Sequence, residues 1–311
     1  MDSAAPLLQR YGTLLCLVLL TLGFSFAVPD AFASTANLLN LLQQITTLAI
    51  VAVGATFVMV IGEFDLSVGF VASLSAVIAF ALFGIGAPAA IGVAAAMLAG
   101  IGAGAANGIL VARFEVPSFV ATLAVGTILS GLAYWASGGT SLFSGVPDSF
   151  KALGRGSLLG LPVLSIWMAA VLICAAVTFG WTRYGRRIHA IGANIQAARL
   201  TGLPVRRDRV VAFAITGGLS ALAGLLLAAR LGSVQHTMGE ALLLPAYAAA
   251  FLGAAASRSG IPNIGGTFLG VLIAGVIANG LTILGAEPFI QRIITGAIIL
   301  AAVLIRQIGR R

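Results

Sequence analysis

Charge is scarce in this 311-residue chain: 8% of residues are Asp, Glu, Lys or Arg, while 60% are hydrophobic. Globular domains carry about 25% charged residues, so a water-soluble fold of this size could not cover its own surface. Cysteine is equally sparse. Cys16 and Cys174 both fall inside apolar runs, far from each other in sequence, which leaves no disulfide framework and no thiolate metal site. The two histidines, His189 and His236, fall on opposite sides in the topology below and cannot share a metal or an active site. No Gly-rich stretch, Gly100 to Gly108 included, is followed by the Lys-Ser/Thr pair that cradles phosphate, so no nucleotide site is legible. A membrane-embedded enzyme would need a nucleophile, acids or metal ligands gathered in one cavity, and the sequence offers no such gathering.

Long apolar runs are what the chain has instead. A helical span takes about 20 apolar residues, and breaks at Gly, Pro and charge clusters divide the sequence into ten candidate spans. These are 11 to 28, 39 to 61, 66 to 84, 88 to 111, 117 to 137, 162 to 181, 209 to 230, 241 to 256, 263 to 284 and 288 to 305. The fold class is therefore all-α, a polytopic membrane protein of a single domain, 1 to 311. The first run follows Arg10, and Ala31-Phe-Ala33 resembles a signal-peptide cleavage site, but the spans that follow favour an uncleaved first helix. With both termini in the cytoplasm, the cytoplasmic segments hold every basic residue except Lys151, Arg155, Arg230 and Arg292. That bias fixes the orientation. The acids Asp30, Asp148, Glu240 and Glu287 fall outside, as does a Gly- and Ser-rich segment, 137 to 161, that reads as an irregular loop.

Small residues supply the contacts between helices. Gly100, Gly102, Gly104 and Gly108, and later Gly265, Gly266, Gly270 and Gly275, allow backbones to approach closely where no hydrophobic force drives helices together. The run Ala106-Asn107-Gly108-Ile109-Leu110, preceded by Pro88 and followed by Pro117 and Gly126, is echoed by Ala278-Asn279-Gly280-Leu281, preceded by Pro262 and followed by Pro288 and Gly296. The first hairpin turns in the cytoplasm and the second outside, which is the pattern of inverted repeats, about 39 to 137 and 209 to 305, with a substrate path at their interface.

Two interruptions carry polar residues. In Ile61-Gly62-Glu63-Phe64-Asp65-Leu66-Ser67-Val68-Gly69 the acids lie between two apolar spans, where an ionised acid in lipid costs about 2.5 to 3.5 kcal/mol. Asp65 or Ser67 could cap the next helix, with Gly62 and Gly69 easing the turn; alternatively the break borders a cavity and forms part of a path or gate. Gly253 to Gly266, with Ser257, Arg258, Ser259, Pro262 and Asn263, is the second interruption. Gly62, Glu63, Phe64, Asp65, Ser67, Asn107, Asn263 and Asn279 are the candidate path or gate residues, and neither interruption has a partner that would build a proton relay.

In the basic segment 183 to 209, Gly192 to Gly202 reads as a short helix with Asn194 as N-cap and Gly202 as C-cap. Ile195, Ala198 and Leu200 give it a small apolar surface, and so short a helix needs something to dock on.

Gly62 to Gly69, Gly192-Ala-Asn194 with Ala197-Ala198-Arg199-Leu200-Thr201-Gly202, and Ala228-Ala-Arg230-Leu together resemble the permease subunits of ribose-type monosaccharide importers of the ATP-binding cassette superfamily. The resemblance covers about residues 37 to 305. It implies a type II importer permease fold in the bacterial inner membrane, working as a homodimer. ATPase subunits, which use the ATP and magnesium, would sit beneath it, and a periplasmic sugar-binding protein above; no cofactor is implied in this chain. Asn194, Ala197, Ala198, Arg199, Leu200 and Gly202 would form the helix that couples to the ATPase. Where the family commonly has Gly-Gly-Ile-Asp, this chain has Gly62-Glu63-Phe64-Asp65. A secondary, ion-gradient-driven transporter is the alternative, since inverted repeats and broken helices suit it as well.

Overall fold

The computed structural model describes residues 5 to 255, 260 to 287, 289 to 294, 296 to 298 and 300, with side chains from Gly12 onward. Nine expected spans have a helix: α1 (Ala5–Ala27), α3 (Thr35–Val60), α4 (Val68–Gly84), α5 (Ala89–Ala112), α6 (Ser118–Ser137), α8 (Val163–Trp181), α11 (Val205–Leu231), α12 (Glu240–Ala255) and α13 (Ile264–Ile283). Of the expected span 288 to 305, residues 289 to 294, 296 to 298 and 300 are helical; its other residues lie outside the described ones, as do both chain ends and residues 256 to 259 of the second interruption. Connecting pieces are α2 (Pro29–Phe32), α7 (Asp148–Arg155), the strand pair β1 (Ser157–Leu158) and β2 (Leu161–Pro162), α9 (Arg183–Ala193) and α10 (Ile195–Leu200). The segment 137 to 161, expected to be irregular, is thus partly ordered: Phe150 of α7 is buried against Phe80 and Phe83 of α4.

Punctuation by proline places several helix starts. Pro88, Pro117, Pro162 and Pro204 each stand immediately before α5, α6, α8 and α11, where a missing N–H costs nothing because no helical carbonyl awaits it. Of all the helices, α3 is the central one, with every residue from Ala49 to Val60 buried. Outward faces are apolar: Leu15 and Leu19 on α1, Ile128 and Trp135 on α6, Ile173 and Trp181 on α8 are all exposed. In water such a surface would drive aggregation, whereas acyl chains match it.

Contacts between helices fix their directions. Along α11, Arg209 meets Glu63 and the Thr216 hydroxyl donates to the Gly54 carbonyl, so α3 and α11 are antiparallel. Gly108, Gly104 and Gly100 of α5 lie against Val210, Phe213 and Gly217 of α11 in that order, again antiparallel. On the other side, Asn279, Gly275 and Thr267 of α13 face Asn37, Ile45 and Thr56 of α3. It follows that α5 and α13, which carry the two Asn-Gly sequences, run in opposite directions. Their glycines allow this packing, as expected: Gly266 and Gly270 of α13 lie against Gly253 and Ala249 of α12.

One placement departs from expectation. Glu240, expected beyond the end of a span, opens α12 beside Gly69 in the first turn of α4. With 16 residues, α12 is about 24 Å long at 1.5 Å per residue, and it begins inside the bundle rather than at its end.

Candidate functional site

α3 stops because Gly62 takes a left-handed φ of +83°. Its N–H donates to the Met59 carbonyl at 3.1 Å and the Glu63 N–H to the Val58 carbonyl at 2.9 Å, the pair of bonds that closes a Schellman C-terminus. The chain then has to reach Val68 through a buried, non-helical stretch, where each unpaired N–H would cost about 1 to 3 kcal/mol. Side chains from two other helices meet that demand. The Phe64 N–H donates to Ser118 Oγ at 3.2 Å and the Leu66 N–H to Thr122 Oγ1 at 2.9 Å, both on α6. Between them the Asp65 N–H donates to the Tyr247 hydroxyl of α12 at 2.7 Å, and that hydroxyl donates back to the Asp65 carbonyl at 3.0 Å.

Asp65 itself is 1% exposed. Its Oδ1 accepts from the Ser67 N–H at 2.9 Å and from Ser67 Oγ at 2.5 Å, and Asn107 Nδ2 donates to Ser67 Oγ at 2.8 Å. The carboxylate therefore holds the turn at Ser67, two residues ahead, while the Ser67 side chain makes no capping bond to α4. Of the candidate path or gate residues, Gly62, Glu63, Phe64, Asp65, Ser67 and Asn107 come together here. Asn263 and Asn279 do not. Asn263 is the N-cap of α13, accepting from the Gly266 N–H at 2.8 Å. Asn279 exchanges two 2.9 Å amide bonds with Asn37, near the start of α3.

Glu63 does have a partner: Arg209, near the start of α11, forms an ion pair with it. The next residue back, Asp208, is bidentate to Arg187 of α9, at 2.6 and 2.9 Å. Tyr184 of α9 donates to the Asp208 carbonyl at 3.2 Å, and its hydroxyl is pushed well above its ordinary pKa by burial, with Asp208 adding to the rise, so it stays a donor. Two adjacent residues of α11 thus grip opposite neighbours, the α3–α4 break on one side and the basic segment on the other. Phe64, 37% exposed, packs between Tyr247 and Phe251, each with ring centroids 5.9 Å away. Glu63 thus ties the break to α11, and Phe64 joins the Asp65–Tyr247 clasp in tying it to α12.

The short helix α10 forms as expected. Asn194 Oδ1 accepts from the N–H groups of Gln196 and Ala197 at 3.0 Å, and Gly202, with φ +77°, ends it in a Schellman turn closed by the Gly202 and Leu203 N–H groups. Its faces divide differently from the sequence reading. Ala198 is buried in the chain's own core with Val58 and Phe213, whereas Leu200 is 89% exposed. Arg199 sits 3.7 Å from Glu115, in the turn between α5 and α6, and helps line a cavity of about 470 Å³ with Leu203, Pro204, Arg206 and Arg207.

Ser118, Thr122 and Tyr247 escaped the sequence reading. Ser118 and Thr122, four residues apart, share one face of α6, but that helix also carries Thr127 and Ser130, so their spacing does not single them out; a lone tyrosine in an apolar run is no sign either. His189 Nδ1 lies 2.8 Å from the Gly185 carbonyl one turn back, a local bond. Among the described residues no group of three or more His, Cys, Asp and Glu could hold a metal.

A many-helix bundle with an apolar exterior and a polar break inside it is the architecture of a multi-pass membrane protein. Residues 37 to 303 match the family described as branched-chain amino acid transport system, permease component, and the chain belongs to that family. It is similar to the ribose import permease protein RbsC of Bacillus subtilis, 39% identical over 299 residues that cover 96% of this chain and 92% of the relative. The RbsC protein of Escherichia coli K12 is 36% identical, with 96% and 94% covered, and the L-arabinose transport system permease protein AraH of the same strain is 37% identical, with 95% and 90% covered. The resemblance carried by Gly62 to Gly69 and Asn194 to Gly202 holds at the level of the family, and the chain is a transport subunit rather than an enzyme.

Proposed function

We propose that this chain is the permease subunit of an ATP-driven importer and forms the passage for a monosaccharide or related polyol. It works as a homodimer in the bacterial inner membrane, both termini cytoplasmic, with a periplasmic binding protein delivering the solute and separate ATPase subunits consuming ATP and magnesium. The names of the ribose and arabinose permeases support the solute class. The observation that carries the mechanism is the paired grip of Asp208 on Arg187 and Arg209 on Glu63. A displacement of the basic segment is thereby passed to the α3–α4 break without a long flexible connection.

In this reading α10 docks on the ATPase through Leu200, Ala197 and Arg199, with Asn194 and Gly202 holding its ends and Ala198 anchoring it to the permease core. Gly62, Glu63, Phe64, Asp65, Ser67 and Asn107 form the gate, while Asn263 and Asn279 fix the ends of neighbouring helices. The antiparallel course of α5 and α13 supports inverted repeats over about 39 to 137 and 209 to 305, as does the exchange in which α3 packs on α12 and α13 while α11 packs on α4 and α5. The test is uptake of D-ribose and L-arabinose into proteoliposomes containing the chain, its ATPase and its binding protein. Uptake that needs ATP and all three components is expected; accumulation by the chain alone, driven by an ion gradient, would replace this reading with that of a secondary transporter.

A further inference from the structure

The α3–α4 break has a counterpart between α11 and α12. α11 ends at Leu231, with Gly232 left-handed at φ +74° and Arg155 donating to the Arg230 and Leu231 carbonyls. The chain then pairs Val234 with Leu142, turns at 236 to 239 and enters α12 at Glu240. The His236 ring stands edge-on to Tyr134, near the C-terminal end of α6, at 5.2 Å. Gly239, by contrast, donates its N–H to Ser73 Oγ at 2.9 Å, and Gly239 and Glu240 abut Gly69 so closely that a Cβ on either glycine would collide. That contact lies about 20 Å from Gly84, the far end of α4, at 1.5 Å per residue. The segment 235 to 240 therefore descends from the rim of the bundle into its middle.

Besides Met238, which packs on the apolar core, the segment carries the polar side chains of Gln235, His236, Thr237 and Glu240. Among the described residues, Glu240 makes no side-chain hydrogen bond or ion pair, Gln235 is exposed, and His236 Nδ1 is buried with nothing bonded to it. One turn further along α12, Leu244 is 61% exposed, and beyond it lies the exposed edge of Phe64 against Phe251. A carboxylate at this depth facing acyl chains is costly, and intramembrane acids face water or protein instead. Gaps in a spanning helix are likewise tolerated only where they border protein or a wet cavity.

We propose that Gln235, His236 and Glu240 line the solute path between its mouth and the gate and hydrogen-bond the hydroxyls of a neutral polyhydroxylated solute. The carboxylate accepts from hydroxyls, the carboxamide both donates and accepts, and the imidazole offers a ring N–H donor. Leu244 continues the same wall toward Phe64. This proposal rests on the transport reading above, but its first test does not need the solute to be known.

Single cysteines at Gln235, Leu244 and Ile173 are introduced into a C16S/C174S chain, and the full importer complex in membranes is treated with the impermeant cationic thiol reagent MTSET. Gln235→Cys and Leu244→Cys are expected to react at least tenfold faster than Ile173→Cys, which lies on the apolar outer face of α8. Equal rates at Leu244 and Ile173 would overturn the path assignment. If D-ribose or L-arabinose is carried, an excess of that sugar is expected to slow labelling at Gln235 several-fold, and Glu240→Gln to raise its KM for uptake about tenfold. Carriage of a sugar with no protection and no change in KM would overturn the solute contact. Fast labelling with no uptake of any sugar would instead count against the solute class and leave the wet path standing.

Discussion

The hydroxyl of Tyr247 clasps the main chain of Asp65 from both sides, accepting from its N–H at 2.7 Å and donating to its carbonyl at 3.0 Å. Residues 182 positions apart are thereby locked in register, and the middle of α12 becomes part of the α3–α4 break. Any motion of α12 must either carry Asp65 with it or leave two buried backbone groups unpaired.

Tyr247→Phe keeps the ring contacts with Phe64 and Phe251 and removes both bonds. Stranding a buried N–H and a buried carbonyl costs about 1 to 3 kcal/mol each. The thermal midpoint in detergent is expected to fall, and uptake with it. A midpoint equal to wild type would mean that the break is not held by this hydroxyl.

Leu200 and Ala198 are two residues apart on α10 and face opposite ways, so they separate docking from folding. Leu200→Asp is expected to insert and melt like wild type while losing ATP-driven uptake, because its side chain touches little of the permease. Ala198→Asp places an unpaired carboxylate in the core cluster that also holds Val58 and Phe213, at a cost of several kcal/mol, and is expected to lower the melting point outright. Parallel melting curves for the two variants would contradict this division.

Asn37 and Asn279 exchange two amide bonds and join the start of α3 to α13. Hydrogen bonds between membrane helices contribute about 0.6 to 2 kcal/mol. Asn37→Leu and Asn279→Leu are each expected to destabilise, and the double variant to be little worse than the worse single one. Additive losses in a double-mutant cycle would show that the two amides act independently.

Spans were legible because lipid forces long apolar runs, and the ends of α3 and α10 were legible because Gly and Asn carry local geometry in their own residue type. The depth of α12 was not. A 16-residue apolar helix that starts in the middle of the bundle has the same composition as the end of a full span, and it takes tertiary contacts, Gly239 against Gly69 and Ser73, to reveal where Glu240 lies. The polar residues of the break were readable as a group, but their partners were not, because Ser118, Tyr247 and Arg209 reach it from 54, 182 and 146 residues away. Asn107 and Asn279 share a sequence context yet meet different neighbours, Ser67 for one and Asn37 for the other. Local similarity could not separate them.

Arg209→Gln and Glu63→Gln each cut the connection between the basic segment and the break, while the Arg187–Asp208 pair stays intact. The most direct measurement is the number of ATP molecules hydrolysed per solute molecule taken up, in proteoliposomes holding the complete importer. Both single variants are expected to hydrolyse ATP at close to the wild-type rate and to raise that ratio at least tenfold. Glu63→Arg combined with Arg209→Glu is expected to bring it part of the way back. An unchanged ratio in both single variants would contradict the transmission of motion through this ion pair.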